Sequence, residues 1–146
     1  YLGVVAGNLL TGLASQRWKS RRRVLGVSLG LTAAAVSVML SARGSSASTI
    51  YALFVVLGVS IGYWAVFATV AAEQFGTNLR ATVATSVPKI VRGAVVPLTL
   101  SFKALKSTQG PLRAAQVVGV VALALAVVAL AKLDETFGKS LDYHEE

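Results

Sequence analysis

The sequence predicts an all-α fold, a polytopic membrane helix bundle with about five transmembrane helices. Of the 146 residues, 55% are hydrophobic and only 14% are charged, and the mean hydropathy is +0.69. Soluble domains carry about 25% charged residues, so this chain has too little polar surface for a water-exposed globule. The apolar residues also occur in runs of about twenty, whereas the strands of a membrane barrel are alternating segments of roughly ten.

Composition excludes several other classes of protein. The chain has no cysteine and one histidine, His144, so we expect no disulfide framework, no metal site and no thiol nucleophile. The net charge of +8 lies between apolar runs rather than on a polar face, so we do not expect nucleic acid as a partner. We predict neither an enzyme nor a bound cofactor.

Five apolar runs are predicted to be spans. They cover residues 1–15, 24–42, 49–72, 81–105 and 111–131, and a tail follows over 132–146. The first run has neither the basic front nor the cleavage site of a signal peptide, and we interpret it as the second part of a helix whose beginning is missing. A serine-rich loop with Gly44 precedes the third run, and Gly110-Pro111 is typical of the start of a helix.

Lysine and arginine predict the orientation of the bundle. Five basic residues lie between 15 and 23, so we place this loop in the cytoplasm: Arg17, Lys19, Arg21, Arg22 and Arg23. Alternation then places residues 73–80 and the C-terminal tail inside and Arg43 outside. Eight basic residues fall inside and four outside. A nucleic-acid patch is the alternative interpretation of the loop.

Small residues four positions apart indicate close packing between helices in lipid. Four spans each contain such a pair: Gly3 and Gly7, Gly26 and Gly30, Gly58 and Gly62, and Ala115 and Gly119. We therefore expect a tightly packed bundle rather than isolated anchors.

One span carries charge. Residues at alternating steps of three and four share one face of a helix, and in the fourth run they are mostly polar. They are Thr82, Thr85, Lys89, Arg92, Val96, Thr99 and Lys103. A charge at a helix centre costs about 2.5–3.5 kcal/mol on insertion scales, so this face is expected to line a wet cavity. Pro88 and Pro97 are expected to kink the same span.

Thr85, Lys89 and Arg92 are therefore candidate cavity residues, and so are Tyr63 and Trp64, near the middle of the third run. Alternatives stay open for both groups. The two cations could snorkel toward the headgroups or form a structural ion pair. The two aromatic residues could pack between helices rather than contact a ligand.

Three segments together resemble the major facilitator superfamily of secondary transporters. Residues 12–23, GLASQRWKSRRR, resemble the signature G-x-L-A-D-R-x-G-R-R. Residues 73–82, EQFGTNLRAT, are similar to E-x-F-P-T-x-x-R, and residues 134–143, DETFGKSLDY, to P-E-T-x-G-K. The resemblance implies that residues 1–146 are helices eight to twelve, a partial C-terminal half, with the N-terminal half of the same protein as the missing partner.

The same resemblance suggests a cytoplasmic gate and signature. Its candidate residues are Gly12, Gln16, Arg17, Arg21, Arg22, Glu73 and Arg80. Arg17, Arg21 and Arg80 match the family pattern and would form ion pairs between the two halves, although positive-inside topology also explains the loop arginines. Gln16 stands where the signature has aspartate, so we expect the cytoplasmic gate to be weakened.

These observations predict a multi-pass secondary transporter in the lipid bilayer, working by alternating access, in a bacterial inner membrane and with its C-terminus in the cytoplasm. Lys89 and Arg92 suggest an anionic small-molecule substrate, and a proton is the expected coupling ion. An integral-membrane enzyme would need clustered acids or histidines that the spans lack. A non-transporting membrane scaffold or assembly subunit is the alternative.

Overall fold

The computed structural model of the protein describes residues 1–42 and 46–138, and the described chain is helical with short connections. The all-α prediction is confirmed. Within the described residues the helices are α1 (Leu2–Trp18), α2 (Arg21–Ser41), α3 (Ala47–Ser60), α4 (Trp64–Glu73), α5 (Thr77–Gly93), α6 (Val95–Gln109) and α7 (Pro111–Lys132). The predicted position of Arg43 and most of the predicted tail lie outside the described residues.

The seven helices of the described residues form five rods, because α3 continues into α4 and α5 into α6. Four of the rods are long and apolar enough to cross a membrane: Arg21–Ser41, Ala47–Glu73, Thr77–Gln109 and Pro111–Lys132. These are the features of a multi-pass membrane protein. Each predicted run lies largely within one rod, and the rods extend past the apolar runs by a few polar residues at their ends.

The second helix lies at the centre of the bundle. It contacts α1, α3, α4 and α7, while α1 packs along α3 and α6 packs along α7. By contrast, α5 contacts only α4 and its continuation α6 among the described helices. One long face of the α5–α6 rod is therefore uncovered.

Glycines bring α1 and α3 into backbone contact, as their spacing predicts. Gly3 and Gly7 are buried against Gly58 and Gly62. A Cβ atom on Gly62 would lie 2.5 Å from the Cα of Gly7, and one on Gly3 would lie 2.5 Å from the carbonyl oxygen of Val55. No side chain larger than hydrogen is accommodated at this crossing without a shift of backbone.

The remaining predicted pairs do not make such a crossing. A Cβ atom on Gly30 or Gly119 would meet nothing within 4 Å, and one on Gly26 would meet only the end of the Leu130 side chain. These glycines therefore do not set the spacing of the helices.

A break between α3 and α4 is bridged by polar side chains of α1. The Thr11 hydroxyl lies 2.7 Å from the carbonyl oxygen of Gly62, and the Asn8 carboxamide oxygen accepts from the Ala65 amide at 3.1 Å. Backbone groups freed in a membrane-spanning helix need such partners because hydrocarbon offers none.

The α5–α6 rod breaks at Ala94, between the two prolines rather than at either of them. Pro88 lies inside α5, and Pro97 lies in the first turn of α6. Pro97 has no N–H to donate to the carbonyl of Gly93, which accounts for the interruption just before it.

Candidate functional site

An ion pair joins the N-terminus of α2 to the C-terminus of α4. The Nη2 atom of Arg21 lies 2.6 Å from Oε1 of Glu73, and the two side chains are only 22% and 10% exposed. The second carboxylate oxygen of Glu73 accepts from the Thr136 hydroxyl at 2.8 Å. The Arg21 guanidinium also lies 5.7 Å from the ring centroid of Phe137. The chain after α7 thus covers this pair.

A second carboxylate, that of Glu135, lies against the N-terminus of α2. It accepts hydrogen bonds from the backbone amides of Arg21 at 2.9 Å and Arg22 at 3.3 Å, and from the Ser20 hydroxyl. The amides of Thr136 and Phe137 donate to it as well, each at 3.1 Å. First-turn amides have no partner within their own helix, so Glu135 satisfies donors that α2 itself leaves open.

This environment favours the ionised form of Glu135. Burial alone would raise the pKa of the carboxyl, but the hydrogen bonds from Ser20 and from the backbone amides of Arg21, Phe137 and Arg22 outweigh it. They lower the pKa from 4.5 to about 2. The carboxylate is charged at neutral pH and holds the C-terminal segment to α2.

The network joins three segments that alternation of the spans places on one side of the membrane. They are the loop before α2, the end of α4 and the chain after α7. Gln74 adds a further tie, since its side-chain amide donates to the carbonyl oxygen of Asp134 at 3.2 Å. We call the side chains of Ser20, Arg21, Glu73, Glu135 and Thr136 the terminal network.

The other predicted gate residues lie around the terminal network. Arg22 donates from Nη2 to the Ala131 carbonyl oxygen at 2.9 Å, and Arg17 and Gln16 are exposed. Arg80 contacts the loop before α5, with Nη2 lying 3.5 Å from the carbonyl oxygen of Phe75. A Cβ atom on Gly12 would meet nothing within 4 Å. Only Arg21 and Glu73 of the predicted set are joined to each other by an ion pair in the described chain.

The polar face of the charged span is exposed along its whole length. Thr85, Lys89 and Arg92 are all exposed, and the Val83 and Val87 side of α5 is the more covered one. The Thr85 hydroxyl is bonded to carbonyls of its own helix. In the described part of the chain, the Lys89 side chain makes no hydrogen bond or ion pair. We call Thr85, Lys89 and Arg92 the polar face of α5.

Trp64 and Tyr63 are separated by the fold. The guanidinium of Arg92 lies 5.6 Å from the ring centroid of Trp64, a cation–π distance, and Phe67 lies beside the same tryptophan. Tyr63 instead lines an apolar cavity of about 300 Å³ between α2, α4 and α7. The structure therefore brings Trp64 to the polar face of α5 and removes Tyr63 from it.

Sequence reasoning did not select Ser20, Glu135 or Thr136 as site residues. A sequence pattern did mark Ser20, because a serine just before an apolar helix is a common N-cap. In the structure its hydroxyl accepts from the Arg23 amide at 3.2 Å. Glu135 and Thr136 belong to the third family-like segment. Their partners lie more than sixty residues away along the chain, and a single sequence does not show which distant residues are in contact.

In the described part of the chain, no group of three or more acidic or histidine side chains is arranged to hold a metal ion. No family model, curated protein or solved structure matches the chain, so a function has to be argued from its own residues.

Proposed function

We propose that this chain is part of a secondary active transporter that moves a small solute across a membrane by alternating access. The resemblance of three segments to the major facilitator superfamily supports the proposal. So do the four helices of membrane-spanning length. The other half of the protein would then complete a solute pathway along α5.

The polar face of α5 is the observation that carries the proposal. It belongs to the helical rod Thr77–Gln109, which is 33 residues long and has no buried residue in its apolar stretch. A lysine and an arginine facing hydrocarbon would cost several kcal/mol together. The face therefore requires either water or another polypeptide beside it, and an aqueous pathway between two halves supplies the first of these.

The charge of this face suggests the class of solute. Lys89 and Arg92 are cationic, and the spans after Glu73 contain no acidic residue that could neutralise them. Trp64 lies beside Arg92 and offers an aromatic surface at the same depth. We propose a small organic anion, such as a carboxylate or a phosphate ester, as the substrate.

The terminal network would close one end of such a pathway. Arg21 and Glu73 tie α2 to α4, and ion pairs at one end of a bundle can be made in one conformation and broken in the other. We propose that this end faces the cytoplasm of a bacterial inner membrane. A proton is the proposed coupling ion, and its carboxylate would lie on the other half.

Uptake by vesicles containing the full-length protein tests the proposal. The assay compares labelled carboxylates and phosphate esters under an imposed pH gradient. Replacing both cations, Lys89→Gln with Arg92→Gln, should lower anion uptake at least about tenfold, since each charge–charge contact is worth about 1 kcal/mol or more. The control Arg113→Gln with Lys132→Gln removes the same charge from α7, away from the polar face of α5, and should leave uptake unchanged. Equal uptake by the two double variants would contradict the proposal.

Cysteine labelling separates a transporter from a membrane scaffold. The chain has no cysteine, so single substitutions at Thr85, Lys89 and Arg92 report their own surroundings. A membrane-impermeant thiol reagent should label all three, and Val120→Cys, on an exposed apolar surface of α7, should stay unlabelled. Protection of all three positions in the assembled protein would instead favour the scaffold.

A further inference from the structure

A cleft lies between the α1–α2 loop and the end of α7. Its volume is about 780 Å³. The lining has two parts: a cationic rim of Lys19, Arg22 and Arg23, and an apolar wall of Val127 and Leu130. All three cations are exposed, whereas the neighbouring Arg21 is paired with Glu73. The cleft therefore combines a net positive charge with a hydrocarbon-like surface.

The cleft lies at the depth of lipid headgroups. Arg22 and Arg23 are in the first turn of α2, and Val127 and Leu130 are in the last turns of α7, a helix of membrane-spanning length. Trp18 lines the cleft at the end of α1 and is 46% exposed. A partly exposed tryptophan beside basic residues is typical of the membrane–water interface.

In the described chain, none of the three cationic side chains of the rim is paired with a carboxylate. Glu135, the acidic residue that lines the cleft, is bonded to Ser20 and the first amides of α2. Its carboxylate already occupies the N-terminus of that helix. A further anion would thus be bound by Lys19, Arg22 and Arg23 themselves. Arg22 uses Nη2 for the Ala131 carbonyl, which fixes its guanidinium at the rim.

We propose that this cleft binds the phosphate group of an anionic phospholipid, with one acyl chain along Val127 and Leu130. The apolar wall favours a lipid over a soluble phosphate, which would leave that wall uncovered. The inference requires that the chain lie in a membrane but does not require transport, so the two proposals can fail separately.

Quenching of Trp18 fluorescence by brominated lipids tests the inference. The protein carrying Trp64→Phe, so that Trp18 is the one tryptophan among residues 1–146, is reconstituted in vesicles of mixed composition. Brominated phosphatidylglycerol should bind at least about tenfold more strongly than brominated phosphatidylcholine, because each basic residue near a membrane surface contributes a severalfold preference for anionic lipid. The variant K19Q/R22Q/R23Q should reduce this ratio to about one.

Two controls keep the outcome decisive. Lys103→Gln, Lys106→Gln and Arg113→Gln together remove the same charge near the opposite end of the bundle and should keep the preference. Arg23→Lys should also keep it, and circular dichroism checks that each variant remains helical. Equal quenching by the two lipids, or the same loss in the control variant, would overturn the inference. So would displacement by millimolar inorganic phosphate that sodium chloride at equal ionic strength does not reproduce, since the ligand would then be a soluble anion.

Discussion

The Glu135 side chain shows how one carboxylate can hold the chain after α7 to the start of α2. Its oxygens accept from Ser20, from the first turn of α2 and from its own following backbone. A charged acceptor at a helix N-terminus also interacts favourably with the helix dipole. Because the charged form is the one that binds, the tie depends on pH.

Replacing Glu135 by glutamine should therefore destabilise the protein at neutral pH. We expect a loss of about 1.5–3 kcal/mol, the usual range for hydrogen bonds to a charged group. The folded-state pKa of about 2 lies below the ordinary 4.5, so this stabilisation is complete above about pH 4.5 and is lost as the pH falls toward 2. Thermal unfolding in detergent at pH 7 and near pH 2 measures both effects.

The control for that prediction is Asp134→Asn, one residue earlier. Asp134 has an exposed side chain, and only its backbone carbonyl is bonded to Gln74. It should change stability by less than about 0.5 kcal/mol. A Glu135→Gln loss that persists unchanged near pH 2 would contradict the role given to the carboxylate.

The Arg21–Glu73 pair should show coupling in a double-mutant cycle. Both side chains are mostly covered, so removing one partner leaves the other charge poorly solvated. We expect each alanine substitution to lower the free energy of unfolding more in the native protein than when the partner residue is already alanine. The difference between the two losses is the coupling energy, which we expect to be about 1–3 kcal/mol. Unfolding of the two single variants and the double variant in detergent gives this energy, and additive losses would show that the pair is not a stabilising contact.

At the scale of elements, the positions of the rods could be predicted better than their contacts. Apolar run length alone located all five rods, because the bilayer thickness fixes how many residues a span needs. Spacing also predicted close packing at Gly3 and Gly7 and at Gly58 and Gly62, but not that these two pairs meet each other. It was wrong about Gly30 and Gly119, because small residues permit close approach but do not say which neighbour approaches.

The same limit applies to the candidate site. Arg21 and Glu73 could be predicted as site residues from local motifs, whereas Glu135 could not be paired with α2 because 114 residues separate it from Arg21. Tyr63 and Trp64 were both candidate cavity residues, and the structure separates them. Neighbours in sequence point to different sides of a helix start, and the tyrosine lies in the apolar cavity between α2, α4 and α7.

Alanine substitutions at two glycines should distinguish a crossing from an open helix face. Gly62→Ala places a methyl group against the backbone of α1, so we expect a loss of about 1–3 kcal/mol from overpacking. Gly30→Ala meets nothing within 4 Å and should be neutral or stabilise α2 slightly, since alanine is the better helix former. Unfolding in detergent compares the two, and equal effects would show that the crossing does not set the packing.

The break between α3 and α4 should depend on Thr11. Thr11→Val removes the hydroxyl that bonds to the Gly62 carbonyl and leaves that carbonyl without this partner in an apolar region. We expect a loss of about 1–3 kcal/mol. Thr69→Val is the matched control, because the Thr69 hydroxyl is exposed and bonds only to the Ala65 carbonyl of its own helix. Similar stability of the two variants would show that α1 does not hold the break.

In the whole molecule, successive rods alternate in direction. The helix ends at one end of the bundle are polar and are joined by hydrogen bonds and an ion pair. The terminal network gathers the start of α2, the end of α4 and the chain after α7. Most of the basic residues lie at these ends, as the positive-inside rule predicts for a cytoplasmic face. The large uncovered face of α5 and α6 is a second property of the whole molecule.

Cysteine labelling from each side of a membrane should reveal the orientation of the bundle. Lys19→Cys, Phe75→Cys and Asp134→Cys lie beside the three segments of the terminal network and are exposed, so all three should react from the same side. Ser46→Cys and Gln109→Cys lie at the opposite helix ends and should react only from the other side. A rod of about twenty apolar residues spans the bilayer, so its two ends lie on opposite sides. No position of one group should therefore react from the side of the other group. Impermeant reagent added to intact cells and to inverted vesicles separates the two groups, and from the positive-inside rule we expect the first group to react from the cytoplasmic side. If Lys19→Cys and Asp134→Cys reacted from different sides, the contact between Glu135 and α2 could not exist in the membrane.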